Sequence, residues 1–168
     1  MKGALAYVAL GANLGDRLAT LREAVRRIDG SHGLTVLRCS AVWETAAVGP
    51  PQPDYLNAVI EVDACKAPWA HLQRLHEIER SLGRVRRAEE RWGPRTLDLD
   101  LLWQGGLILQ QGDLELPHPR ITERSFVLAP LAELAPSLPL GERAVAAWLE
   151  ARPAGERASV RRVGPLAV

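Results

Sequence analysis

Arg91-Trp92-Gly93-Pro94-Arg95-Thr96-Leu97-Asp98-Leu99-Asp100-Leu101-Leu102 decides how this chain is read. From Thr96 onward its side chains alternate with a period of two, the period of a strand. Asp98 and Asp100 then share one face, and Leu97, Leu99 and Leu101 fill the other. Two carboxylates that close repel each other unless a cation lies between them. Mg²⁺ favours carboxylate oxygens and takes its remaining ligands from water and substrate phosphates. The guanidinium fork suits the same phosphates, and Arg84, Arg86, Arg87, Arg91 and Arg95 all precede the aspartates. An Asp-x-Asp pair taken alone is more often the wet face of an edge strand. A purely structural strand, however, has no use for that much positive charge beside it. The stretch points to metal-assisted phosphoryl transfer.

Working outward, the stretch is the fourth main strand, from about Thr96 to Trp103. Upstream, Leu5 to Leu10 reads as a buried strand ending in a turn-rich Gly11–Asp16 segment. Asp16 caps a helix through about residue 29, with Leu18, Leu21, Val25 and Ile28 as its apolar stripe. Thr35 to Thr45 is rich in β-branched residues and reads as one strand, and Tyr55 to Val62 as another. The Pro-rich segment between them is a loop. Pro68 suits the first turn of a helix that Gly83 stops. Residues 84–94 read as a mobile charged loop. After the Gly105-Gly106 turn come a short hairpin at 107–109 and 114–116 and helices over 124–134 and 143–150. The tail from Arg152 is weakly patterned: a last strand or partly disordered. The order β-α-β-β-α-β predicts an α+β, ferredoxin-like split βαβ sandwich, an antiparallel sheet with helices packed on one face.

The chain has 168 residues and a formal net charge of +1, with 47% hydrophobic and 24% charged residues. That length predicts a single domain over residues 1–168. The balanced charge argues against a protein that coats nucleic acid. Cys39 and Cys65 form no CxxC pair and read as buried free thiols. The sequence shows no signal-peptide core and no apolar run long enough to span a bilayer, so a cytoplasmic protein with no membrane partner is expected.

Further residues look out of place in a pure scaffold. Tyr55 and Asn57 alternate on one strand face beside the Pro-rich loop, and the Asn57 carboxamide can both donate to and accept from an amide-like ring edge. Trp92 lies in the charged loop, where a large aromatic has something to stack on or little to do. Pro117-His118-Pro119-Arg120 precedes Arg124-Ser125-Phe126. Together with Ala9–Asp16, Pro53–Ala58, Ile78-Glu79, Leu82–Arg86 and Arg91–Leu102, these segments resemble the 6-hydroxymethyl-7,8-dihydropterin pyrophosphokinases of folate biosynthesis, in order from residue 6 to about 136.

The resemblance implies a ferredoxin-like α+β fold and transfer of the β,γ-pyrophosphoryl group of ATP to the pterin hydroxymethyl oxygen, giving the pterin diphosphate and AMP. It implies two Mg²⁺ ions held by Asp98 and Asp100, with Asp98 near the attacking hydroxyl. Arg84 and Arg95 match arginines that grip the triphosphate and join the aspartates as catalytic residues. Arg86 and Trp92 belong to a loop that closes over both substrates, Arg86 toward ATP and Trp92 toward the pterin. Tyr55 and Phe126 would sandwich the pterin and Asn57 read its edge, helped by backbone near Thr45 and Val48. His118 and Arg124 match residues on the ATP phosphates, and His76, Glu79 and Leu101 sit at nucleotide-contact positions. Asp113 and Glu115 depart from the family pattern, so no nucleotide contact is carried onto them. A monomer is expected, with ATP and the pterin as partners and no nucleic acid. A ferredoxin-like RNA-binding module would stack bases on sheet aromatics, which one Phe and two Tyr scarcely supply. A two-metal nucleotidyltransferase would explain Asp98 and Asp100 but not Tyr55, Asn57 and Phe126.

Overall fold

A computed structural model describes residues 3–47, 49–84 and 96–167. Val48, Arg86, Arg91, Trp92 and Arg95, and with them the charged loop, lie outside the described residues. The chain runs β1 (Ala4–Ala12), α1 (Arg17–Asp29), β2 (Leu34–Cys39), β3 (Ala41–Thr45), β4 (Tyr55–Ala64), α2 (Pro68–Ser81) and β5 (Asp98–Gln104). A hairpin follows, β6 (Leu109–Gln111) and β7 (Leu114–Leu116), then a 3-10 turn (Ile121–Glu123) and α3 (Ser125–Leu134). The last part holds β8 (Pro139–Leu140), β9 (Arg143–Ala144), α4 (Val145–Glu150), α5 (Ala154–Ala158) and β10 (Arg161–Pro165).

The central sheet has the order β10-β3-β4-β1-β5, with β2 also on β4, and its pairings are antiparallel. This is the expected split βαβ sandwich, with β2 and β3 together in the place of its second strand. Thr35 to Thr45 is thus two strands rather than one, because Ser40 interrupts the ladder. Its N–H donates to Val59 O, while its Oγ accepts from Val59 N and donates to Ala41 O. One extra residue is absorbed there and another near Leu37, as in β-bulges.

Even-numbered β1 residues Ala6, Val8, Leu10 and Ala12 pack with Leu56, Ile60 and Val62 of β4 and Leu99 and Leu101 of β5. Against them lie Leu21, Val25 and Ile28 of α1 and Leu75 and Ile78 of α2. The Asp16 carboxylate accepts from Ala19 N at 3.1 Å and starts α1 as expected. The opposite face carries a second core of Tyr7, Val59 and Leu102 under Val127, Leu128 and Leu131 of α3 and Val145 of α4. The two helices of the split βαβ share one face as the sequence predicts, and α3 in addition covers part of the other. That face therefore has a covered half and an open half, and the open half is where Asp98 and Asp100 point.

Smaller departures have local causes. The hairpin's first strand falls at 109–111, because Gly105 and Gly106 both take positive φ and prolong the turn. The helix expected from Arg143 begins at Val145, since Arg143 and Ala144 pair with β8. Cys65 is exposed rather than buried, just beyond the end of β4, and Cys39 is half-buried. The tail is ordered: β10 pairs with β3, and Leu166 reaches the main core. Among the described residues no helix is long and apolar enough to cross a membrane.

Candidate active site

Three neighbouring strands make the floor of the site. In register, Asp98 lies opposite Gly11 and Gly11 opposite Asn57, while Asp100 lies opposite Ala9. Asp98 and Asn57 are therefore two strand spacings apart, roughly 10 Å, with only a glycine between them. A Cβ on Gly11 would stand 3.3 Å from Asn57 Oδ1 and 3.7 Å from the Tyr55 ring, so the bare backbone keeps the floor open. Asn57 is buried and donates through Nδ2 to Thr45 Oγ1 at 3.1 Å. That bond fixes the carboxamide plane and leaves Oδ1 over Gly11.

Phe126, in the first turn of α3, forms the wall, and the Arg124 guanidinium lies 5.5 Å from its ring centroid. Thr45, Tyr55, Asn57, Asp98, Asp100, Arg124 and Phe126 all line one cavity of about 570 Å³. A smaller cavity of about 220 Å³ is lined by residues that include His76, Leu101, Asp113, Glu115 and His118. Asp100 borders both cavities. Asp100 thus stands where the two spaces meet, and Asp98 lies beside it in the larger one.

Arg84 lies between two acids. Its Nη1 donates to Asp98 Oδ1 at 2.6 Å and pairs with the Glu79 carboxylate. Glu79, on α2, is wholly buried and lines neither cavity. The sequence reading gave Glu79 to the nucleotide; in the structure its carboxylate holds Arg84.

His118 is fixed through its backbone, whose N–H donates to Leu102 O at 2.8 Å, and its Nδ1 accepts from Arg120 N at 3.3 Å. The ring proton of the neutral form is then on Nε2. Burial, together with Arg124 and Arg120 and against the pull of Asp98, lowers its pKa from 6.5 to about 4. His118 is therefore a neutral donor at physiological pH. A group whose folded pKa is depressed in this way binds protons more readily when unfolded, so its contribution to stability is lost as pH falls from 6.5 toward 4. Near pH 4.5 we expect wild type to lose about 2 kcal/mol more than His118→Gln, relative to neutral pH, in urea unfolding. Equal losses in the two proteins would remove the buried-neutral assignment.

Asp98 and Asp100 offer hard oxygen ligands from one strand face. Among the described residues no group of three His, Cys, Asp or Glu side chains is arranged to hold a metal ion. Two carboxylates on one strand face, both lining the large cavity, fit Mg²⁺, which favours carboxylate oxygens and takes its other ligands from water and phosphate. They do not resemble a closed structural metal site.

Arg120, Glu123, Glu156, Ser159 and Val160 also line the large cavity. Sequence reasoning gave them no role. Arg120 carried one available signal, a cation in the same Pro-rich turn as His118. Glu156, Ser159 and Val160 carried none, because they come from the weakly patterned tail.

The family model for 7,8-dihydro-6-hydroxymethylpterin-pyrophosphokinase (HPPK) matches residues 7–136. A 2-amino-4-hydroxy-6-hydroxymethyldihydropteridine pyrophosphokinase of Synechocystis is 46% identical over 131 residues, which cover 78% of this chain and 66% of the relative. The Bacillus subtilis protein of the same name is 44% identical over 131 residues, 77% of each chain. Among solved structures, wild-type Plasmodium falciparum HPPK-DHPS with pterin and p-hydroxybenzoate superposes with a TM-score of 0.68 at 12% identity, over 89% of this chain and 43% of that one. The last supports the fold alone, and the chain spans less than half of that longer protein and about two thirds of the Synechocystis relative. With a family match over most of its length and relatives above 40% identity, the chain belongs to the 7,8-dihydro-6-hydroxymethylpterin-pyrophosphokinase family.

Proposed function

We propose that this chain transfers the pyrophosphoryl group of ATP to the hydroxymethyl oxygen of 6-hydroxymethyl-7,8-dihydropterin, releasing AMP, as a cytoplasmic monomer in folate biosynthesis. The observation that carries this reading is the pair of cavities that share Asp100, with Asp98 beside it on the floor of the larger. The larger has the chemistry of a flat heterocycle site: aromatic rings from Tyr55 and Phe126 and a fixed carboxamide from Asn57. The smaller, with His76, Leu101 and the neutral donor His118, takes the nucleotide.

The acceptor oxygen bonds to the β-phosphorus, the bond from that phosphorus to the α–β bridging oxygen breaks, and AMP leaves. Asp98 lies on the acceptor side and is placed to take the alcohol proton. Positioning and neutralisation of charge supply most of the rate. Arg84 is held by Glu79 at the edge of the reacting centre. Arg124 and Arg120 bring further positive charge to the cavity wall, and the resemblance adds Arg86 and Arg95 to the phosphates. Two Mg²⁺ ions held by Asp98 and Asp100 would stabilise the attacking and leaving oxygens. Closure of the loop that carries Trp92 would keep water from competing with the alcohol.

Isothermal titration with 6-hydroxymethylpterin, with and without Mg²⁺ and a non-hydrolysable ATP analogue, tests the reading. Pterin binding that tightens with nucleotide supports it; nucleotide binding with no pterin binding overturns the acceptor. Release of AMP, rather than nucleotide transfer, separates it from a nucleotidyltransferase. Gly11→Val provides a sharper check on the floor. The new methyl groups enter the gap between Asp98 and Asn57, so we expect pterin affinity to fall more than about tenfold, roughly the effect of a lost or clashing methyl-sized fit, with nucleotide affinity unchanged. Wild-type pterin affinity in Gly11→Val would place the acceptor elsewhere.

A further inference from the structure

The family match ends at residue 136, yet α5 and the residues just after it stand in the wall of the large cavity through Glu156, Ser159 and Val160. The segment is braced within itself and anchored beyond α5. Arg152 donates twice to Glu156 Oε2, at 3.0 and 2.7 Å, before α5. After it, β10 pairs with β3, Arg161 bonds Glu44, and Arg22 Nε donates to Leu166 O at 2.8 Å.

The first turn of α3 has a local defect that this segment repairs. Its cap position is Arg124, whose side chain has no oxygen to accept a helix N–H, and no side-chain cap is made there. The N–H of Ser125, a fully buried residue, is instead taken by Glu156 Oε1 at 3.2 Å, from 31 positions further along the chain. A carboxylate is also the preferred charge at a helix N-terminus. Burial pushes the Glu156 carboxyl up, but the hydrogen bonds from Arg152 and Ser125 hold it below the ordinary carboxylate range. It is therefore ionised when the enzyme works. The turn it caps carries Arg124 on one side of Ser125 and Phe126 on the other.

We infer that Glu156 is a positioning residue for the acceptor: from the C-terminal segment it caps α3 and so sets Phe126 against the heterocycle. The inference rests on the large cavity being the pterin site. Serine, threonine, asparagine or aspartate at position 124 would cap the helix locally, but an arginine there leaves the cap to Glu156. The pterin wall is thereby coupled to a tail that the family match does not include.

The test is titration of wild type, Glu156→Ala and Glu156→Gln with 6-hydroxymethylpterin and, separately, with Mg²⁺ and the ATP analogue, with melting curves alongside. Loss of a helix cap corresponds to an equilibrium factor of about ten, so Glu156→Ala is expected to weaken pterin binding by about that factor. Nucleotide binding should stay within about twofold of wild type. Glu156→Gln keeps an acceptor for Ser125 N–H and should recover most of the pterin affinity. Unchanged pterin affinity in Glu156→Ala, or an equal loss for pterin and nucleotide, would overturn the inference and leave a structural role only. Failure of wild type to bind pterin at all would overturn the acceptor reading and this inference with it.

Discussion

Replacing Asp98 or Asp100 by asparagine or alanine is expected to lower turnover by on the order of a thousandfold or more, with the melting temperature close to wild type. Both residues lie on the open half of the sheet, partly exposed, so neither side chain supports a core. Around the aspartates β5 is packed from the other face, where Leu97, Leu99 and Leu101 are buried in the main core. Removing a carboxylate therefore leaves the strand in place and changes the charge on the floor of the large cavity. The two positions differ in one respect. Asp98 holds Arg84 at 2.6 Å, whereas Asp100 borders both cavities. Asp98→Asn should thus also loosen Arg84, and Asp100→Asn should weaken Mg²⁺-dependent nucleotide binding. Steady-state turnover over a Mg²⁺ titration, with melting curves, checks both. Turnover near wild type in either purified variant would overturn the assignment of the metal ligands.

The parts of this site that could be read in the sequence are those encoded by local periodicity. Alternation placed Asp98 with Asp100 and Tyr55 with Asn57, because a strand's side chains must alternate whatever the tertiary context. Asp16 and Pro68 marked helix starts because capping and the fixed φ of proline are local effects. What escaped depends on contacts distant in sequence. The Ser40 interruption leaves the β-branched composition of residues 35–45 intact, so nothing local distinguishes one strand from two. Glu156 sits in a five-residue helix with no buried residue of its own, and only the fold reveals what it caps. Glu79 shows the same limit from the other side. An acid on a helix normally faces water or a ligand, and its complete burial against Arg84 follows from how α2 lies over β5.

That burial makes Arg84 the second position where a large effect is expected, on stability as well as turnover. Arg84→Gln takes the guanidinium away from a carboxylate that no solvent reaches and from Asp98 together. Breaking one side of a buried ion pair costs about 3–5 kcal/mol, because the remaining charge keeps its desolvation penalty and loses its compensation. Replacing both partners by neutral groups costs far less. We therefore expect Arg84→Gln to unfold at markedly lower urea, and the double variant Glu79→Gln/Arg84→Gln to recover most of that loss through an amide–amide contact. Turnover should not follow. The cation is still missing beside Asp98, where the proposed transfer would build charge on the phosphate oxygens, so the double variant should remain slow by about a hundredfold or more. Urea unfolding and steady-state kinetics on the single and double variants close this cycle. If the double variant regained both stability and turnover, Arg84 would be a structural residue and the cation at the reacting centre would have to come from elsewhere. If it regained neither, Glu79 would not be the group that holds Arg84 in place.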